Sequence, residues 1–262
     1  MDERFALAQE LIRRAGSLVR DGFRQTKQVG HKGVIDLVTQ FDLQSESLIL
    51  DGIHSHFPQD AVLAEEGGRQ GRGDLRWLID PLDGTVNYAH GVPIFSLSIA
   101  LYDGAQLQFG LIYDPLREEL FAARAGQGAF LNGQLMHVSG TSSLQDSLLV
   151  TGFAYDVHTN PDNNFDEFAA FQLQTQGVRR LGSAALDLAY VAAGRLDGYW
   201  ELQVEAWDVA AGTLLVREAG GSVTRADGSP DVLQAPHSIL AANPQLHALM
   251  LGLLMDRKAK KA

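Results

Sequence analysis

A mixed α/β fold is predicted for this chain from three features of its sequence. Apolar residues recur at helical spacing near the N-terminus, the stretch from Phe95 to Gly133 reads as strands broken by turn dipeptides, and beyond His137 strands and helices interleave. With 262 residues, 45% of them hydrophobic, the chain can bury a sizeable core. One large domain or two closely joined halves is expected.

Taken in order, residues 4–23 place Phe5, Ala8, Leu11, Ile12, Ala15, Leu18, Val19 and Phe23 near helical spacing, with Arg13, Arg14 and Arg20 on other faces. Gly30 and Gly33 then bracket Lys32 in a segment expected to be mobile, followed by a short IDLVT strand (35–39). Thr39 and Asp42 stand at the entry to a second helix, in which Ile49, Ile53 and Phe57 repeat every four residues until Pro58 ends it. AVLAEEGG reads as a short strand terminating in Glu65 and Glu66, and GRQGRGDLR as a polar loop.

The stretch WLIDPLDGTVNYAHG (77–91) carries the densest chemistry. Pro81 cannot donate a ladder hydrogen bond, so the strand is expected to stop there, leaving Asp80 and Asp83 at its end. Gly84 permits a tight turn, and Thr85 can cap a helix through Val86, Asn87 and Tyr88. Two carboxylates, the Leu82 carbonyl and a helix start at one strand end suit divalent cations and phosphate. Strands follow, with turns at Asp103-Gly104, Asp114-Pro115 and Asn132-Gly133, so an antiparallel meander is predicted. In the second half, 147–151, 198–202 and 238–243 read as strands. Residues 162–176, 183–194, about 208–219 and those from Pro244 read as helices, ending in a basic, frayed MDRKAKKA tail.

Composition narrows the function classes. A formal charge of −11 argues against a nucleic-acid surface, and the absence of cysteine removes disulfides and thiolate metal sites. The N-terminus does not read as a signal peptide and no apolar run reaches about 18 residues, so a soluble cytoplasmic protein with no membrane partner is expected. There is no GxxxxGK[ST] loop, HExxH or GxSxG. Gly126-Gln127-Gly128 lacks the third glycine of a dinucleotide fingerprint and reads as a hairpin turn.

Singly, Glu65-Glu66 is a solvated loop, Asp42 a cap and Asp208 an N-cap. Together, Asp42, Glu65, Glu66, Asp80, Asp83 and Asp208 all fall at predicted strand ends or helix starts, where α/β architectures gather functional groups. Like charges about 4 Å apart cost roughly 4 kcal/mol at an effective dielectric of 20. Converging carboxylates therefore require cations, and hard Mg²⁺ or Mn²⁺ suits an all-oxygen set.

The segments DLVTQFD (36–42), AEEGG (64–68), WLIDPLDGTVNY (77–88), GQGAFLNG (126–133) and WDVAAGTLLVREAGG (207–221) resemble the inositol monophosphatase family of magnesium-dependent, lithium-sensitive phosphomonoesterases, over nearly the whole chain. The resemblance implies a layered αβαβα sandwich of the inositol monophosphatase and fructose-1,6-bisphosphatase type, commonly a homodimer. It further implies one phosphatase domain over 1–262, with most metal ligands in about 1–138 and the substrate contacts and Asp208 in about 139–262.

Up to three Mg²⁺ ions are implied: Glu65, Asp80 and the Leu82 carbonyl for the first, Asp80, Asp83 and Asp208 for the second, and Glu65 with waters for a weaker third. Glu65 and Thr85 would activate the attacking water, with Asp42 orienting the Thr85 hydroxyl and Glu66 in support. Phosphate would meet the N–H groups of Gly84 and Thr85. The substrate's hydroxyl side would meet Gly182, Ser183, Ala184 and Glu201, and Lys32 would approach from its loop. The implied reaction is hydrolysis of inositol 1-phosphate, with fructose-1,6-bisphosphate or histidinol phosphate as alternatives. Gly67 replaces a position often Ser or Thr, Glu205 adds a charge, and Arg179 and Arg180 offer cations for a second phosphate or a partner subunit. Some bacterial relatives also associate with the transcription machinery, so a regulatory protein-binding role is the alternative of another class.

Overall fold

Period-two and period-3.6 patterning resolve into two large sheets, a small β-hairpin and three helical layers in the computed structural model, which describes residues 1–33, 36–104 and 106–261. In chain order the elements are α1 (Asp2–Gly22), β1 (Val29–His31), β2 (Leu37–Thr39), α2 (Gln40–His56), β3 (Ala61–Ala64), β4 (Gly68–Gln70), β5 (Arg76–Asp83), α3 (Thr85–His90), β6 (Ser96–Tyr102), β7 (Leu107–Asp114), β8 (Glu119–Arg124), β9 (Ala129–Leu131) and β10 (Gln134–Leu135). They continue as β11 (Leu148–Thr151), α4 (Phe165–Gln172), β12 (Gly177–Arg179), α5 (Ala184–Ala192), β13 (Gly198–Glu201), α6 (Ala206–Glu218), β14 (Ser222–Thr224), β15 (Ile239–Ala242) and α7 (Pro244–Lys261).

The eight-stranded sheet runs in the order β10-β9-β8-β7-β6-β5-β3-β4 and the five-stranded sheet β12-β11-β13-β15-β14. From β5 to β10 the pairing is the antiparallel meander expected from the turn dipeptides, and β3 alone pairs parallel with β5. Asn132 and Gly133 both adopt positive φ at the β9–β10 turn, as a tight hairpin requires. Gly126 and Gly128 do lie in a turn, between β8 and β9, where their N–H groups donate to Glu218.

Each helix lies where its apolar stripe is covered. α1 buries Leu7, Ala8, Leu11, Ile12, Ala15 and Val19 and, with α2, covers one sheet face through Trp77, Ile79, Leu97, Phe109 and Leu111. α5 and α6 are apolar nearly all round because they are clamped between the two sheets, while α4 and α7 close the outer face of the five-stranded sheet. The resulting stack is αβαβα, with β5–β7 apolar on both faces. Among the described residues no helix is long and apolar enough to cross a membrane.

The structure departs from the sequence reading at several points. β5 does not stop at Pro81 but runs on to Asp83: Asp80 pairs with Ser98 and Asp83 with Ser96, so Pro81 and Leu82 together oppose Leu97. That bulge takes the missing proline N–H out of the ladder. Gly68–Gln70, expected as loop, forms β4 against β3, and Val29–His31 pairs with β2. β12 and β14 were also unexpected; three-residue strands carry too little alternation to be read locally. α6 begins at Ala206 rather than Asp208, and α7 continues through the tail expected to fray. Ile35 of the IDLVT strand, Ala105 and Ala262 lie outside the described residues.

Candidate active site

The bulge in β5 determines what its end presents. Asp80 is only 2% exposed, and its Oδ1 accepts the Leu82 N–H at 3.0 Å, turning the loop tightly. Gly84 follows at φ 97°, and a Cβ there would lie 3.1 Å from the carbonyl oxygens of Gly182 and Ile94. Gly84→Ala is therefore expected to cost about 1–3 kcal/mol; an unchanged urea midpoint would show that the backbone adapts freely. Below the turn, Val19, Phe41, Leu82, Tyr88 and Phe95 form a separate apolar cluster, pinned by the Tyr88 hydroxyl donating to the Val19 carbonyl at 2.7 Å. Asn87 Nδ2 donates to the carbonyls of Leu181 (2.7 Å) and Ile94 (2.9 Å), fastening α3 to the C-terminal half.

α2 brings Asp42 to this turn. Thr39 is the N-cap and Asp42 occupies N3 of a capping box, so Asp42 Oδ2 accepts the Thr39 N–H at 2.9 Å. Its other oxygen faces Thr85 Oγ1 at 2.8 Å, and Thr85 Oγ1 also stands 3.0 Å from the Leu82 carbonyl. One hydroxyl proton cannot serve both acceptors. Burial pushes the Asp42 carboxyl above its ordinary range, opposed by these hydrogen bonds.

At the end of β3, Lys32 Nζ lies 2.6 Å from Glu65 and 2.8 Å from Glu66, so the Lys32 segment is folded over the acid pair. Burial opposes the lysine's charge, but Glu65 and Glu66 outweigh it and keep Lys32 protonated. Glu46, one turn beyond Asp42 on α2, accepts the Glu66 N–H at 2.9 Å. A Cβ at Gly67 would approach Glu46 Oε1 to 2.8 Å, which accounts for glycine at that position.

The second half contributes across the interlayer. Asp83 Oδ2 accepts from Ser183 Oγ (2.6 Å) and Ala185 N–H (2.7 Å), and Oδ1 from Ala184 N–H (3.3 Å), so Asp83 caps α5. Asp208 is at N3 of α6, not at the N-cap, which is Glu205; Asp208 Oδ2 accepts the Glu205 N–H at 2.8 Å. Glu201 Oε2 accepts the buried Tyr199 hydroxyl at 2.6 Å and lies where any Cβ at Gly152 would clash.

Glu65, Asp80, Leu82, Asp83, Gly84, Thr85, Gly182, Ser183, Ala184, Glu201 and Asp208 line one cavity of about 520 Å³, with Lys32 at its edge. Asp42 stands behind Thr85 rather than on the wall, and Glu66 is drawn to Lys32 and Glu46. Arg180 and Glu205 also reach the cavity. Sequence reasoning missed Glu46, whose signal was its position one helical turn after Asp42. It also missed Asp187, an acid inside the otherwise apolar SAALDLAYVAAG run, and Asp36 and Tyr155, for which no local signal exists.

Burial raises three carboxyls of the wall, Glu65 to about 7, Asp83 to about 6 and Glu201 to about 7. Asp80 and Asp208 are pushed well up by burial and by the charges of Glu65 and Asp83. Among the described residues no three His, Cys, Asp or Glu side chains stand in metal-holding geometry. Asp80, Asp83 and Asp208 are instead each turned to hydrogen bonds of their own, and Glu65 to the Lys32 cation. The donor set nevertheless fits hard divalent cations: it is all oxygen, anionic and self-repelling, and Lys32 already neutralises one corner.

A sign follows for pH. These acids have folded-state values above their ordinary ones, so the native state holds more protons than the unfolded chain between about pH 4 and pH 7. The cation-free protein is expected to lose stability as pH rises through that window, and added Mg²⁺ to restore it at neutral pH. Thermal melts in chelator and in Mg²⁺ check this; a melting temperature that rises with pH in chelator would contradict it.

With this fold and acid-walled cavity, the similarity to known proteins makes the chain a phosphoric monoester hydrolase, of a family that is generally metal-dependent. The chain belongs to the inositol monophosphatase family, whose model matches residues 1–259. It is 48% identical to an inositol-1-monophosphatase of Synechocystis over 92% of this chain and 85% of that protein, and 43% identical to the Nus factor SuhB of Pseudomonas aeruginosa over 94% and 93%. The solved inositol monophosphatase of Anabaena superposes with a TM-score of 0.89 at 46% identity, covering 97% of this chain and 96% of that one.

Proposed function

We propose that the protein catalyses Mg²⁺-dependent hydrolysis of inositol 1-phosphate to inositol and phosphate, as one catalytic domain whose site lies where its two halves meet. The observation that supports this most is the convergence on one cavity of Glu65, Asp80, the Leu82 carbonyl, Asp83 and Asp208 with Glu201 and the Gly182–Ala184 turn. Glu65, Asp80 and Leu82 would hold one ion, Asp80, Asp83 and Asp208 a second, and Glu65 with waters a weaker third; Mn²⁺ fits the same ligands. Bound divalent cations lower the pKa of a water, clamp the phosphate and neutralise the leaving alkoxide. Phosphate monoesters hydrolyse so slowly unaided that enzymes accelerate them by up to about 10²¹-fold.

The chain's own residues supply the rest. Donating its proton to Asp42 leaves a Thr85 lone pair to accept from the attacking water, and Glu65 takes that water's proton. Both Asp83 oxygens already accept hydrogen bonds from α5, which makes Asp83 a poor nucleophile and favours direct in-line attack by water. The N–H groups of Gly84 and Thr85 face the phosphate, Glu201 with Gly182, Ser183 and Ala184 reads the alcohol side, and Lys32 approaches the metal region. The active form is a homodimer.

Initial rates with Mg²⁺ across inositol 1-phosphate, fructose-1,6-bisphosphate and histidinol phosphate, with and without Li⁺, test this. Failure to release phosphate from any small monoester would sink it. Arg180 at the cavity favours the bisphosphate as the runner-up substrate. A regulatory role in transcription is a second reading, favoured by the 43% identity to a Nus factor. A knockout phenotype rescued by the Asp83→Asn protein would support it.

A further inference from the structure

α5 carries one acid that the site described above does not use. Asp187 is 1% exposed on a helix whose other buried residues, Ala185, Leu186, Leu188, Ala189, Val191 and Ala192, are all apolar. Among the described residues its Oδ1 is buried with no hydrogen-bond partner, and the residue forms part of the cavity wall beside Glu201. Buried polar atoms are almost always satisfied, so an orphaned carboxyl oxygen at a binding cavity points to a partner that arrives with the ligand. Arg180 lies near but donates no hydrogen bond to that oxygen. The Tyr199 hydroxyl is committed to Glu201, Glu201 is confined by its contact with Gly152, and Asp83 already accepts from Ser183, Ala184 and Ala185.

We propose that Asp187 is a specificity-determining residue of the phosphatase site, reading together with Glu201 the hydroxyl groups on the alcohol portion of the substrate. This rests on the reading under Proposed function. Two carboxyls on one wall, both raised toward their protonated forms by burial and by neighbouring carboxylates, can donate as well as accept. A hydroxyl, which also does both, is their complement. Arg180 already supplies a positive charge near both acids, so a substrate ammonium is not what the wall lacks.

The test compares wild type, Asp187→Ala and Asp187→Asn with inositol 1-phosphate and with p-nitrophenyl phosphate, whose leaving group has no further hydroxyls, in Mg²⁺. Asp187→Ala is expected to lower kcat/KM for inositol 1-phosphate by about 10- to 100-fold, chiefly through KM, while p-nitrophenyl phosphate changes by less than about twofold. Asp187→Asn, whose amide also donates and accepts, is expected to recover most of the loss. Because a buried orphaned acid is held against stability, Asp187→Ala should melt no lower than wild type. Equal losses on both substrates, no loss on either, an Asn variant no better than Ala, or a lowered melting temperature would each overturn the assignment. A wild type that hydrolyses p-nitrophenyl phosphate but shows no preference for inositol 1-phosphate would overturn it while leaving the phosphatase reading intact. A wild type inactive on both would remove the phosphatase reading itself, with the melting temperatures still reporting on Asp187.

Discussion

Asp83→Asn is expected to lower kcat by about 10³-fold or more, since it removes a charge from the proposed metal and phosphate centre. The structure adds a cost to folding that the residue's place in DPLDGT does not suggest. Asp83 receives Ser183 Oγ and the Ala184 and Ala185 N–H groups, so an amide NH₂ in place of one oxygen would face donors at the start of α5. The loss is comparable to that of a helix cap, about 1–2 kcal/mol, and for a chain of this size amounts to roughly 2–8 °C in melting temperature. Steady-state rates and a thermal melt on the same preparation separate the two effects. Near-normal turnover would show that the metal assignment is wrong, whatever happened to stability.

Thr85→Val carries the next largest effect. Valine keeps the shape but deletes the hydroxyl that faces Asp42 and the Leu82 carbonyl, so kcat should fall by about 10²- to 10⁴-fold. Asp42 is fully buried and would retain only its Thr39 contacts, which should cost about 1–3 kcal/mol. Thr85→Ser restores the hydroxyl and should recover most of the rate. A Val variant with wild-type kcat would remove the Thr85–Asp42 pair from the mechanism.

The residues of this site were readable to different depths. Asp80, Asp83, Gly84 and Thr85 stand close together in the chain, and Pro81 and Gly84 limit their backbone so strongly that a carboxylate-bearing turn was visible without any neighbour. Locally Asp42 reads as a capping residue, and only the family resemblance joined it to Thr85, because that partner lies 43 residues away. Glu46, one turn after Asp42, and Asp187, an acid in an apolar run, stand out in the sequence only by charge and position. What makes them part of the site is burial against segments remote in the chain, which no local pattern encodes.

The sequence by itself determined the helical stripes, the meander and its turns, the DPLDGT strand end and the family resemblance, because each depends on residues within about one turn or one strand of one another. Only the tertiary structure decided that β5 passes through Pro81 by a bulge, that Asp83 caps a helix 100 residues onward, and that Glu201 and Asp187 share a cavity wall with it. Those outcomes depend on which layers meet and how much water they exclude. The charge state and partners of a buried carboxyl are set by that assembled environment rather than by the residues on either side of it.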